Sequence, residues 1–251
     1  MRQVRDLGFD CVDIQPAHQR TLEARLLAQE LALPVSCLGA SFALPAGAAL
    51  DHAIESRREL AIDHVRSTIE HGADIGAETV YVIPSMDAGP EAMDRFRDSL
   101  ARLAASAAER DIKLAIEHFP GTALPTASET LEFIHSAGQD NLYLLYDSGH
   151  IQISGEDPAT AIANAGDRLG YVHLDDNDGV NDLHWSLLEG VMTLESLVET
   201  LRALDAIGYQ GALSLELSPA LAKPAKALSE SRDVLLRARH RAWLPGQTRS
   251  P

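Results

Sequence analysis

Short apolar runs recur along the chain, each followed by a longer segment in which apolar and polar residues alternate with a different rhythm. The runs are CVDIQ (11–15), PVSCLG (34–39), TVYVIP (79–84), KLAIEH (113–118), LYLLYD (142–147), YVHLDD (171–176) and ALSLEL (212–217). Their length and their richness in leucine and β-branched residues predict strands. The intervening stretches read as helices: in ESRRELAIDHVRSTIEHGADIG, Ala61, Ile62, Val65 and Ile69 recur at threes and fours. Glycines close two of these segments just before the next strand, in HGADIGAETVYV and LDAIGYQGALSL, as expected at a helix C-terminus. Regular strand and helix alternation predicts a parallel sheet. Near-continuous apolar strands predict that both of its faces are covered.

A parallel sheet of this size is either doubly wound or a closed barrel. None of the runs is followed by G-x-G-x-x-G or G-x-x-x-x-G-K-[ST], so the phosphate turn of a doubly wound fold is missing. Polar residues stand instead at the C-terminal ends of the late strands, where barrel sites are built. The expected fold is therefore a TIM (β/α)8-type barrel. It lacks the first strand, because the chain opens in the helical pattern MRQVRDLG, with Met1, Val4 and Leu7 on one face. Either the start lies upstream of Met1, or the barrel has seven strands and an open edge. One domain is expected over 1–245, with the tail at 246–251 frayed.

Charge and composition narrow the function. With 251 residues and 45% hydrophobic content, the chain can build one sizeable core. A formal charge of -16 repels a phosphate backbone, so nucleic acid is not expected as a partner. Cys11 and Cys37 lie in apolar runs and read as buried thiols of a reducing compartment. No signal-peptide core and no spanning run of about twenty apolar residues is present, which points to a cytoplasmic protein without a membrane partner.

The last four strands finish with Glu117, Asp147, His173 and Glu216. One acid ending a strand is ordinarily a helix cap, and a lone histidine there is ordinarily a rim residue. Four successive strands ending in ligand types are harder to explain that way, since barrel strand ends converge on one mouth. Three carboxylates and an imidazole suit one divalent cation, with Mn²⁺, Co²⁺, Mg²⁺ or Zn²⁺ fitting the donor set.

The texts LAIEH, LLYDSGH, YVHLDDND with DLH and EG beyond it, and GALSLEL resemble the xylose isomerase-like TIM barrels, a superfamily that includes ketose 3-epimerases, inosose-pathway enzymes, hydroxypyruvate isomerase and endonuclease IV. The resemblance implies that Glu117, Asp147, His173 and Glu216 bind one divalent cation. It also implies that His150, in the family's D-x-x-H step, and Asp182 and His184, in its D-x-H step, contact substrate or a second metal. In the sugar-isomerising members two glutamates exchange a proton at the carbon beside a carbonyl through an enediolate. Those would be Glu117 and Glu216, with Glu216 as the base. The implied activity is a metal-dependent isomerase or epimerase of a small sugar, polyol or keto acid.

Departures from the family pattern qualify this. Ala123 stands where the ketose 3-epimerases carry a further glutamate, and no arginine lies between Arg168 and Arg202. The late loops carry no Lys or Arg before Lys223 and Lys226, so an unphosphorylated substrate is expected, with a homodimer as the assembly. The alternatives are an endonuclease IV-like phosphodiesterase, which draws histidines from strands that here read SCLGASF and VYVIPSM, and a non-catalytic barrel. His118 reads as rim or packing. His52, His64 and His71 read as the surface of one helix, and Trp185 as either a sugar-stacking ring or a loop anchor.

Overall fold

Each of the seven expected runs forms a strand, trimmed or shifted by one or two residues. In a computed structural model that describes residues 1–243, they are β1 (Val12–Ile14), β2 (Val35–Gly39), β3 (Thr79–Val82), β4 (Lys113–Glu117), β5 (Leu142–Asp147), β6 (Leu169–Leu174) and β7 (Leu213–Leu215). The expected frayed tail lies outside those residues. The strands form one sheet in chain order, every neighbouring pair parallel. The helices are α1 (Arg2–Asp6), α2 (Leu22–Glu30), α3 (Glu55–Ile75), α4 (Pro90–Ala108), α5 (Ala127–Ala137), α6 (Ser148–Ser154), α7 (Pro158–Ala165), α8 (Leu194–Ala206) and α9 (Pro224–Ala242).

β1 and β7 are the sheet's two edges and are only half-buried, whereas β3 and β6 are buried along their whole length. The two ends nevertheless curl towards each other. The Tyr171 hydroxyl on β6 donates to Asp13 Oδ1 on β1 at 2.6 Å, a contact between strands five places apart in the sheet. The result is a nearly closed TIM-type barrel of seven strands.

Strand side chains alternate between two layers. Leu38, Val80, Leu114, Ile116, Leu144, Tyr146 and Val172 point outward and join one continuous core with Ile62, Val65, Ile69, Phe96, Leu100 and Leu197 of the helices. Cys37, Tyr81, Ala115, Leu145 and Tyr171 fill the barrel interior as a second, smaller cluster. Two residues further along β4, β5 and β6, on the same inward face, stand Glu117, Asp147 and His173. Ser214 pairs with His173 in the ladder, and one more two-residue step reaches Glu216. The alternation that builds the core thus also delivers four ligand types to one mouth.

Helix ends follow the chemistry read from the sequence. Gly76 closes α3 with φ 77°, a left-handed conformation that glycine adopts without steric cost. Three readings are corrected. His52 precedes α3. His71 is buried rather than on the surface, with Nε2 2.8 Å from the carbonyl of His18, because its face of α3 packs inward. Cys37 is buried as expected, but Cys11 is half-exposed. Among the described residues no helix is long and apolar enough to cross a membrane.

Leu114 is fully buried between β4 and the helix layer, whereas Leu26 of α2 is 54% exposed. Leu114→Ala is expected to lower the unfolding free energy by about 2–5 kcal/mol, and Leu26→Ala by less than about 0.5 kcal/mol. Urea denaturation of the two variants checks this.

Candidate metal and proton-transfer site

The strand-end quartet meets at the mouth. His173 Nδ1 lies 2.6 Å from Glu216 Oε2, 3.1 Å from Glu117 Oε1 and 3.8 Å from Asp147 Oδ2. One ligand atom from each of the four lies within 4.8 Å of the others. Glu117, Asp147 and His173 are buried and Glu216 is half-buried. Asp147 is divided between two tasks. Its Oδ1 accepts from the backbone N–H of His150 at 2.8 Å, capping α6, while its Oδ2 is buried without a hydrogen-bond partner. Glu216 Oε2 is likewise without one, since its close approach to His173 lacks hydrogen-bond geometry. Buried carboxylate oxygens left unpaired are costly. A divalent cation among the four groups would satisfy them, so this donor set fits one.

The protonation of the quartet follows from crowding. Burial pushes Glu117 up, and the charge of Glu216 adds to it against the hydrogen bond from His173. Burial would also raise Glu216, but the adjacent charge of His173 outweighs it and holds this carboxyl below its ordinary range. Burial would lower His173, yet Glu216, Asp13 and Glu117 around it raise it well above the usual imidazole value. An imidazolium proton therefore balances part of the charge that a cation would neutralise.

A second group stands beside the first. His184 Nδ1 is 2.9 Å from Asp175 Oδ2, and Asp182 Oδ1 is 3.2 Å from His184 Nε2 and 3.5 Å from His150 Nε2. His150, Asp182 and His184, predicted from two separate segments, are thus brought together. Asp175 is a fourth member that sequence reading missed. Its signal was the two-residue step from His173, which keeps it on the inward face. Asp175 Oδ1 also accepts from the Gly149 N–H at 2.8 Å, and a Cβ on Gly149 would lie 2.5 Å from that oxygen, so the glycine of DSGH permits the contact. Burial works against protonation of His150, but Asp147 and Asp182 raise it to about 10; against the same opposition, Asp175 and Asp182 raise His184 to about 11. Burial and the charge of Asp147 raise Asp175 to about 7.

The neighbouring acids build the loop that carries Asp182 and His184. Asp176 accepts from the N–H groups of Gly190 at 2.7 Å and of Met192 and Asn177 at 2.9 Å. Asp176 and Trp185 also exchange backbone hydrogen bonds at 3.2 and 2.7 Å, so Trp185 anchors the loop. Asp178 Oδ1 accepts from the N–H groups of Val180 and Asn181, closing the turn. The loop is pinned over the mouth by the Ser218 N–H, which donates to the His184 carbonyl at 2.8 Å. His118 is fully buried packing rather than rim. Its Nε2 accepts from the Asp147 N–H at 3.3 Å, and burial followed by the charge of His150 keeps it neutral, well below the usual value.

Sequence comparison agrees with this architecture: the profile of the family described as xylose isomerase-like TIM barrel matches residues 1–238. The chain belongs to that family. Among its xylose isomerase-like relatives is the L-ribulose 3-epimerase of Mesorhizobium japonicum, 26% identical over 227 residues that cover 86% of this chain and 73% of that protein. The inosose dehydratase of Geobacillus thermodenitrificans is 30% identical over 161 residues, 58% of this chain and 54% of the relative. An uncharacterised protein of Methanocaldococcus jannaschii is 29% identical over 174 residues, 64% of this chain and 58% of its own length. The match therefore spans between about half and three-quarters of these relatives. A solved L-ribulose 3-epimerase superposes with a TM-score of 0.81 at 24% identity, covering 100% of this chain and 92% of that one, which shows the shared fold.

The raised histidines make a pH prediction for metal-free protein. A group whose folded value lies above its unfolded one stabilises fully below the unfolded value and loses that contribution as pH rises through the folded one. For His150 and His184 the stabilisation is full below 6.5 and is lost towards about 10 and 11. Asp175, raised to about 7 from 3.8, acts in the same direction. The urea midpoint of chelator-treated protein is expected to fall steadily from pH 6 to pH 10, and His184→Asn to flatten that slope.

Proposed function

We propose that the chain is a divalent-metal-dependent epimerase or isomerase of an unphosphorylated sugar, polyol or small keto acid. The observation that carries this reading is the mouth itself: three strand-end carboxylates and one imidazole within 4.8 Å, with buried carboxylate oxygens unpaired. Glu117, Asp147, His173 and Glu216 would hold the cation, whose oxygen and nitrogen donors suit Mn²⁺, Co²⁺, Mg²⁺ or Zn²⁺. A bound cation supplies Lewis-acid polarisation of a substrate carbonyl, which acidifies the neighbouring C–H.

The proton is then handled by the two glutamates. They reach the mouth from β4 and β7, three strands apart, and so approach a bound carbon from different sides. Glu216, at the end of the last strand and across the mouth from Glu117, is assigned as the base. Glu216 removes the proton from the carbon beside the carbonyl, and Glu117 delivers one to the opposite face of the resulting enediolate, inverting the centre. Delivery to the former carbonyl carbon instead, with the neighbouring hydroxyl's proton passing to the former carbonyl oxygen, gives the isomer.

His150, Asp182 and His184, with Asp175, provide alternating donors and acceptors for substrate hydroxyls, or a seat for a second cation. The ion partners of the site carboxylates are histidines rather than Lys or Arg, which suits a neutral ligand better than a phosphorylated one. A phosphodiesterase reading is supported less well, because β2 and β3 end without histidine and the net charge is -16.

The test pairs metal content with turnover. Wild-type protein is expected to bind one Mn²⁺ or Co²⁺ tightly per chain and to epimerise or isomerise at least one unphosphorylated ketose or related polyol-derived ketone. Glu216→Gln is expected to lower kcat by about 10²–10⁴-fold, the range for loss of a general base. Absence of bound divalent ion after incubation with either metal would refute the reading.

A further inference from the structure

The two ring nitrogens of His173 face different groups. Nδ1 is turned to the quartet, with Glu216 at 2.6 Å and Glu117 at 3.1 Å. Nε2 is turned the other way, across the barrel, and lies 3.6 Å from Asp13 Oδ2 on β1. A neutral imidazole that ligates through one nitrogen carries its proton on the other, and in a buried site that proton requires an acceptor. The acceptor facing it in this interior is Asp13.

Asp13 is built for that task on one oxygen and free on the other. Its Oδ1 accepts from the Ser36 hydroxyl at 2.8 Å and the Tyr171 hydroxyl at 2.6 Å. Its Oδ2 is buried and has no hydrogen-bond partner. Two donors thus fix the carboxylate while leaving one oxygen directed at Nε2. The imidazole is held between ring edges as well: Tyr81 and Tyr171 meet it nearly perpendicular, at 86° and 90°, with centroids 5.3 and 5.7 Å away. Closing the Asp13 contact to a charge-assisted hydrogen bond needs a shift of only about 0.8 Å.

We infer that Asp13 is a positioning residue for the metal centre, holding His173 in the Nε2–H tautomer and in the orientation that presents Nδ1 to the cation. The inference rests on the metal-centre reading above and extends it to an edge strand that contributes none of the four ligands. It also gives the polar tie between β1 and β6 a function, since the carboxylate that curls the sheet together would also aim a ligand.

The experiment is a Co²⁺ titration of chelator-stripped wild type, Asp13→Asn and Tyr171→Phe, read by calorimetry and by the visible Co²⁺ absorption, with circular dichroism and urea unfolding of each apo form. Asp13→Asn keeps a carbonyl acceptor but loses the charge that makes the imidazole a stronger donor. It is expected to bind Co²⁺ about 10–100-fold more weakly, the usual cost of losing a ligand's outer partner, and to shift the absorption bands. Tyr171→Phe frees one side of Asp13 without touching His173 Nε2 and is expected to weaken binding a few-fold with a smaller shift in the same sense; it carries the test if Asp13→Asn does not fold. A folded Asp13→Asn that binds Co²⁺ with wild-type affinity and an unchanged spectrum overturns the assignment of Asp13, as does unchanged binding by Tyr171→Phe where Asp13→Asn is unfolded. Failure of the wild type itself to take up Co²⁺ overturns the proposed function, and the inference with it.

Discussion

At the mouth of the barrel one imidazole nitrogen, His173 Nδ1, lies within 3.8 Å of carboxylates from three other strands. Such a cluster is unstable by itself, because buried carboxylates repel one another and lose their hydration. Much of the surrounding structure can be understood as what keeps it assembled. The apolar interior of Cys37, Tyr81, Ala115, Leu145 and Tyr171 closes the barrel below it, so the charges can stand only at the strand ends. Outside, the helices bury the alternate residues of the same strands and fix their register.

The crowding has a chemical consequence. Four groups that share so little space cannot all keep their solution protonation, so the environment separates Glu117 from Glu216 and charges His173. Beside them, Asp175, Asp182, His150 and His184 form a second, partly exposed group of alternating sign. The two groups meet at Asp147, whose oxygens serve the cap of α6 on one side and the quartet on the other. The α6 segment carrying His150 is therefore set by the same side chain that faces the quartet. This is a compact way to place a second set of polar side chains beside the candidate metal group.

Much of this was legible in the residues. The seven strands follow from their apolar runs, and the mouth follows from Glu117, Asp147, His173 and Glu216 ending four of those runs. His150, Asp182 and His184 were legible through family motifs. Other residues were not. Asp13 sits mid-run in CVDIQ, where an acid looks like an edge-strand residue facing water; only the curl of the sheet turns it towards His173 and Tyr171. Asp175 and Asp176 are adjacent acids of the same type, yet one faces the mouth and the other receives three N–H groups of the loop. His71 looked like a surface residue because its bond to the His18 carbonyl joins positions 53 apart.

What the sequence alone determined is therefore what depends on local periodicity: the parallel strands, the helices with their glycine stops, and the ligand types waiting at the strand ends. A period of two or of three to four is a short-range property, so it can be read without knowing where the chain goes next. The tertiary structure alone decided which polar residues meet: Asp13 with His173 across the barrel, His150 with Asp182, and the loop acids with their N–H donors. Those contacts join residues far apart in the chain, and they depend on how far the sheet curls and where each loop returns, which no local pattern encodes.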